Sequence, residues 1–223
     1  MKKLKIIFLL SLVLLFTSCT SLIYKDGYYS GKEPIKQNFG IIVASATADK
    51  YYGPALVAYL SLENIETNEK IDLQNAICKV KKDSPGIGPL AKVIMGDKPI
   101  EDQIVLETKC GSLLVGEIKT GRYELKYIRL VSNDIAQGGF VSSLRYTPSK
   151  KEIIDIKDGE IVYLGRINLE SLNMNKGFQI RSVSISMSDE YNLDAKVFQE
   201  EYNLLKNSEI KNNSLQLKKQ NFK

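Results

Sequence analysis

From Phe39 onward the apolar residues of this chain recur at a spacing of two, and turn residues interrupt the pattern at short intervals. Leu56, Ala58, Leu60 and Leu62 alternate with Val57, Tyr59, Ser61 and Glu63. Successive side chains of an extended strand leave opposite faces, so this spacing gives one buried face and one more polar face. Phe39–Ser45, Lys70–Val80, Ile104–Glu107, Leu113–Ile118, Arg122–Ser132, Phe140–Tyr146, Glu160–Glu170 and Phe178–Ser188 are further strand candidates. Gly53-Pro54, Ser84-Pro85-Gly86, Gly138-Gly139 and Asp158-Gly159 supply turns between them. Eight or nine short strands with no helical insert predict an all-β fold, an antiparallel β-sandwich over residues 39–190, and exclude βαβ units.

Two strands change phase. Phe178 and Ile180 share one parity, whereas Val183, Ile185 and Met187 hold the other, so a bulge is predicted near Arg181 and Ser182. In the same way Tyr123, Leu125 and Tyr127 give way to Ile128 and Leu130. Near the end the period becomes helical: Leu193, Val197, Phe198, Tyr202, Leu204 and Leu205 predict one amphipathic C-terminal helix over 191–207, with Asp194 as its candidate cap. It should close an end or a face of the sandwich. Residues 208–223 are dominated by Asn, Lys and Gln and read as a mobile polar tail.

The first residues have a different character. Lys2, Lys3 and Lys5 precede an apolar run from Ile6 to Phe16 that is short for a bilayer span and suits a signal sequence. Phe16, Thr17 and Ser18 lead into Cys19, and this resembles the lipobox of bacterial lipoproteins, with Phe16 where Leu is usual. The resemblance implies that residues 1–18 are a cleaved signal peptide and that Cys19 carries acyl chains, making the membrane a partner through lipid. Two or three chains anchor a protein firmly, whereas one binds reversibly. It also implies a cell-envelope location, and Thr20 after the cysteine favours the outer membrane in a cell with two. Residues 19–38 contain Gly27, Gly31 and Pro34 among polar residues and read as a lipidated tether.

Of the 31 Lys and Arg, three lie in that leader, leaving 28 against 26 Asp and Glu. Such a balance leaves no electrostatic footprint for nucleic acid, so no nucleic-acid partner is expected. The 43% hydrophobic content is ordinary for a globular fold.

Gly121-Arg122-Tyr123-Glu124-Leu125, followed by Asp158-Gly159-Glu160-Ile161-Val162-Tyr163-Leu164-Gly165-Arg166-Ile167-Asn168-Leu169, resembles the second half of transthyretin-like, carboxypeptidase-regulatory-like domains. The likeness covers residues 113–170 well and 39–80 loosely, and Thr120 stands where a proline often precedes the first glycine. It implies a transthyretin-like or immunoglobulin-like sandwich, in an accessory module without chemistry of its own. The parity of their strands predicts that Tyr123 and Tyr163 are buried, with a tyrosine hydroxyl reaching backbone at the sandwich edge.

The chain has no histidine, which excludes Ser-His-Asp and Cys-His systems, HExxH zinc sites and histidine general bases. It has no tryptophan, but Tyr28-Tyr29 and Tyr51-Tyr52 are candidate stacking pairs for a glycan or protein partner. Ser208-Glu209-Ile210-Lys211 fits Ser-x-x-Lys, yet a serine nucleophile needs a rigid oxyanion pocket and this one falls in the expected tail. Asp155, Asp158 and Glu160 surround a turn without EF-hand spacing and read as a solvated turn. The glycines around residues 84–89 lack the Lys-Ser/Thr ending of a phosphate loop. No catalytic residue, metal ligand or cofactor is therefore assigned.

Cys78 and Cys110 remain once Cys19 is acylated, and export would place them where disulfides persist; they are either paired or two separate buried thiols. Together these features lead to a non-enzymatic, lipid-anchored envelope protein with a binding or assembly role and an unknown protein or glycan partner. A host- or glycan-binding surface lipoprotein and a histidine-free carboxylate hydrolase are the two alternatives.

Overall fold

The computed structural model describes residues 29–49, 56–77, 103–105, 109–134, 139–175 and 179–222. Within these the chain is an all-β sandwich with one helix packed on its outside. The strands are β1 (Phe39–Asp49), β2 (Leu56–Asn64), β3 (Lys70–Ala76), β4 (Gln103–Val105), β5 (Lys109–Lys119), β6 (Gly121–Asp134), β7 (Gly139–Tyr146), β8 (Ile153–Ile156), β9 (Ile161–Met174), β10 (Ile180–Ser188), β11 (Ile210–Asn212) and β12 (Gln220–Phe222). The helix α1 spans Tyr191–Glu201, and a 3₁₀ turn follows at Asn203–Leu205. Seven strands form the first sheet, in the order β12-β10-β9-β1-β5-β4 with β11 also on β9; five form the second, β3-β2-β6-β7 with β8 also on β6.

β1 sits mid-sheet because its sequence suits burial on both faces. Ile42, Ala44, Ala46 and Ala48 enter the core between the sheets. Ile41 and Val43 join a second core under α1, built with Tyr163, Ala195, Phe198 and Tyr202. A continuous run of apolar and small residues marks a strand covered on both sides, and such strands are often parallel to a neighbour. β1 does pair parallel with β9, and antiparallel with β5. Alternation alone did not reveal this parallel pairing, which joins strands far apart in sequence.

The phase changes appear where expected. The β9–β10 ladder shifts register on either side of Ser182. On β6 the shift comes between the partners of Ser61 and Leu62, leaving Lys126 as the extra residue that lets Tyr123, Leu125, Ile128 and Leu130 all face inward. Tyr123 and Tyr163 are fully buried, and the Tyr123 hydroxyl donates to the Lys119 carbonyl at 2.9 Å. Tyr163, however, points to the helix side of the first sheet and not into the sandwich.

Three expectations need correction. Residues 208–223 are not a mobile polar tail: β11 and β12 lie there, and Leu215 and Leu217 are buried in the inter-sheet core. Three apolar anchors, Ile210, Leu215 and Leu217, outweigh the polar composition around them. Their backbone also finds partners, with the Asn213 and Leu215 N–H groups donating to the carbonyls of Tyr163 and Leu164 at 2.9 and 2.8 Å.

Nor do residues 19–38 form a free tether throughout. Tyr29 is buried against Tyr202, with ring centroids 5.8 Å apart, and Ile35 packs on the same core. The segment before Tyr29 lies outside the described residues. Finally, Asp194 does not cap α1. It occupies the first turn, is buried, and faces the sheet; Asp189 instead accepts the Tyr191 N–H at 3.0 Å.

Candidate functional site

A group of polar side chains lies buried between α1 and the first sheet. Ser45 comes from β1, Tyr163 and Arg166 from β9, and Asp194 from α1. Tyr163 and Arg166 are three positions apart and in a regular strand would leave opposite faces. Between them the β1–β9 ladder slips, pairing Val43 with Tyr163 but Ser45 with Arg166. Gly165 makes the slip, at φ +113°, and a Cβ there would come within 3.0 Å of the Ser188 carbonyl. The bulge therefore turns both side chains towards the helix, and only glycine fits its backbone.

Asp194 is the hub of this cluster. The hydroxyls of Tyr163 and Ser45 donate to its Oδ2 at 2.6 and 2.5 Å, and the Arg166 guanidinium donates to its Oδ1. Arg166 also donates from Nε to Ser45 Oγ at 3.4 Å and lies 3.9 Å from Glu190 at the helix start. Burial, then the charge of Asp194 and the hydrogen bond to it, hold the Tyr163 hydroxyl well above the ordinary tyrosine range. Ser45, Tyr163 and Asp194 are fully buried and Arg166 is 3% exposed. A serine beside a carboxylate and a guanidinium invites a nucleophilic reading, but here the hydroxyl is tied to Asp194 under a packed helix. The arrangement clamps α1 to the sheet.

The outer face of the five-stranded sheet has a different chemistry. Cross-strand register aligns Gln74, Tyr59, Arg129 and Arg145 in one row across β3, β2, β6 and β7, and Asp72, Ser61 and Tyr127 in the next. The Arg129 guanidinium lies over the Tyr59 ring, 4.3 Å from its centroid, and that of Arg145 lies 3.9 Å from the Tyr127 centroid. Further along this face, Lys126 is balanced by Glu124 at 3.3 Å and Glu63 at 3.7 Å. Among the described residues no carboxylate forms an ion pair with Arg129 or Arg145, and Asp72 in the neighbouring row sets one acid against two guanidinium charges.

Cys110, near the start of β5, is buried and disulfide-bonded. Cys19 and Cys78 lie outside the described residues. The chain leading to Cys78 does run beside β5: Ser112 Oγ donates to the Ala76 carbonyl at 2.7 Å, and Asn75 Nδ2 to the Leu113 carbonyl at 2.6 Å. Of the candidate tyrosine pairs, only Tyr29 is described, and its buried ring is already stacked on Tyr202. Asp155, Asp158 and Glu160 do not converge: they bind Arg122, the Asn38 N–H and Lys211 respectively. Among the described residues no group of three Asp, Glu, Cys or His could hold a metal ion.

The buried clamp escaped the sequence reading because its parity switch depends on Gly165, and the outer-face patch because its members come from four strands. The alternation of β2 placed Tyr59 on the polar side, and the parity of Ile128 and Leu130 is the signal that could have placed Arg129 there. No protein-family model and no curated protein matches the chain.

Proposed function

We propose that this chain is a non-enzymatic lipoprotein of the bacterial cell envelope, anchored by acyl chains on Cys19, whose sandwich holds a binding face away from the membrane. The observation that carries the orientation is the seat of Tyr29. It is buried on the helix side of the first sheet, against Tyr202, only ten positions after Cys19. Ten residues span at most about 35 Å when fully extended. Lipid on Cys19 would attach the chain to the bilayer through the α1 side of the sandwich, which in this reading turns that layer towards the membrane. The outer face of the five-stranded sheet lies across two further layers, about 20 Å away.

A binding or assembly role fits the two sites as they stand. The strongest hydrogen-bonding cluster is sealed beneath α1 and serves packing, whereas the unbalanced charge sits on the open sheet face. An accessory sandwich of the transthyretin-like kind is the architecture this reading favours, supported by the glycine turns and by the bond from the Tyr123 hydroxyl to backbone. In a two-membrane cell, Thr20 after the cysteine favours the outer membrane.

The lipid assignment is tested by growing cells with a fatty-acid analogue. The wild-type chain is expected to incorporate label and enter the detergent phase, and Cys19→Ser to do neither. Equal labelling of Cys19→Ser would overturn the anchor.

A further inference from the structure

We propose that the outer face of the five-stranded sheet binds an acidic glycan, with a sugar carboxylate held between Arg129 and Arg145 and sugar hydroxyls bonded to Ser61 and Asp72. The membrane-distal placement of this face rests on the lipoprotein reading; the ligand chemistry does not.

Arg129 and Arg145 are direct cross-strand partners. Like charges set opposite one another in a sheet repel, and side chains at such positions start about 5 Å apart. Neither guanidinium has an ion-pair partner among the described residues, although Lys126 on the same face has two. Each is instead laid on a tyrosine ring, which fixes its plane and aims its donors. Two arginine forks on neighbouring strands suit a planar carboxylate, which accepts paired N–H donors from arginine.

A second observation is independent of charge. Three buried side-chain atoms lack a hydrogen-bond partner among the described residues: Ser61 Oγ, Asp72 Oδ1 and Arg129 Nε. All three belong to this patch. Ser61 is 1% exposed and is the cross-strand neighbour of both Asp72 and Tyr127. A buried unpaired polar atom is costly, so its concentration in one place points to a ligand that completes it. Asp72 Oδ1 needs a donor, Ser61 Oγ takes either role, and Arg129 Nε needs an acceptor. Binding requires the side chains that cover these atoms to move aside for the ligand.

An acidic sugar carries the required set, a carboxylate with several hydroxyls on a flat ring. An acidic peptide fits less well, because it brings few hydroxyl donors to Asp72 and Ser61, and the central strands β2 and β6 have both edges paired, which confines strand addition to β3 and β7. An anionic lipid surface would engage the arginines but supply few donors to Asp72.

The full chain in detergent is titrated with oligogalacturonate, neutral dextran of equal length, polyglutamate and phosphatidylglycerol vesicles. Saturable binding of oligogalacturonate alone is expected. Arg129→Gln and Arg145→Gln should each weaken it roughly tenfold or more, and Arg145→Lys, which keeps the charge but loses the fork, should also weaken it. Ser61→Ala, which removes a hydroxyl and no charge, should lower affinity for the sugar while leaving its salt dependence as in the wild type. Arg145 is exposed, so a melting midpoint unchanged by Arg145→Gln separates lost binding from lost folding. Cys19→Ser should bind as the wild type does, which keeps this test independent of the anchor. Absence of saturable oligogalacturonate binding, equal binding of polyglutamate or vesicles, or wild-type affinity in both arginine-to-glutamine variants would overturn the proposal.

Discussion

Replacing Asp194 with alanine is expected to lower the unfolding free energy by about 3–5 kcal/mol, the usual cost of breaking a buried ion pair by removing one partner. The carboxylate accepts from Tyr163, Ser45 and Arg166 together, and none of the three is more than 3% exposed. After the substitution the Arg166 charge stays buried, with Glu190 3.9 Å away at the rim as its remaining acid. In a chain of this size the melting midpoint should fall on the order of 10 °C. The double variant Arg166→Met/Asp194→Leu should recover part of the loss, since no charge is then left buried without its partner, while the Tyr163 and Ser45 hydroxyls still lack their acceptor. Equal loss in the single and double variants would show that the cluster is not a self-contained clamp.

The same cluster sets a dependence on alkaline pH. Burial and Asp194 raise the pKa of Tyr163 in the folded state, so its contribution is complete below the ordinary tyrosine value of about 10. As pH rises beyond that value, the unfolded chain releases a proton that the folded chain keeps, and stability falls. Tyr163→Phe should make this slope shallower, the remainder belonging to Tyr29, Tyr123 and Tyr146, whose hydroxyl pKa values burial also raises.

The second large effect belongs to the disulfide at Cys110. If Cys19 carries lipid, as proposed, Cys78 is the remaining partner, and unreduced peptide mapping should recover a fragment linking Cys78 to Cys110. The chain reaches Ile77 beside β5, where Ser112 holds the Ala76 carbonyl. Closing a loop of this length removes about 3–4 kcal/mol of chain entropy from the unfolded state, and Cys110→Ala should destabilise the protein by that amount. A Cys19–Cys110 fragment, or a variant that unfolds at the same denaturant concentration as the wild type, would contradict the assignment.

What was legible in the sequence follows from the kind of signal each element carries. β2 alternates cleanly because one face meets the core and the other meets solvent. β6 and β10 announced their bulges because a bulge must shift parity. β8, β11 and β12 were missed because strands of three or four residues hold too few side chains to establish a period.

Asp194 looked like a cap because acids favour helix starts, and nothing local shows that three residues on two distant strands claim it. The outer-face patch was illegible for a related reason: Asp72, Ser61, Arg129 and Arg145 become neighbours only through the pairing of β3, β2, β6 and β7. Composition misled at residues 208–223, where three buried apolar side chains decide the structure of a mostly polar stretch.

The claim that organises this account is that lipid on Cys19 holds the helix side of the sandwich near the bilayer and leaves the five-stranded face pointing away. Energy transfer on the lipidated protein in vesicles with acceptor-labelled headgroups tests it directly, with a donor placed at Leu204, 57% exposed beside α1, or at Arg145 on the outer face. The account predicts stronger transfer from position 204 than from 145, and loss of both signals in Cys19→Ser. Equal transfer from the two positions, or stronger transfer from 145, would contradict it.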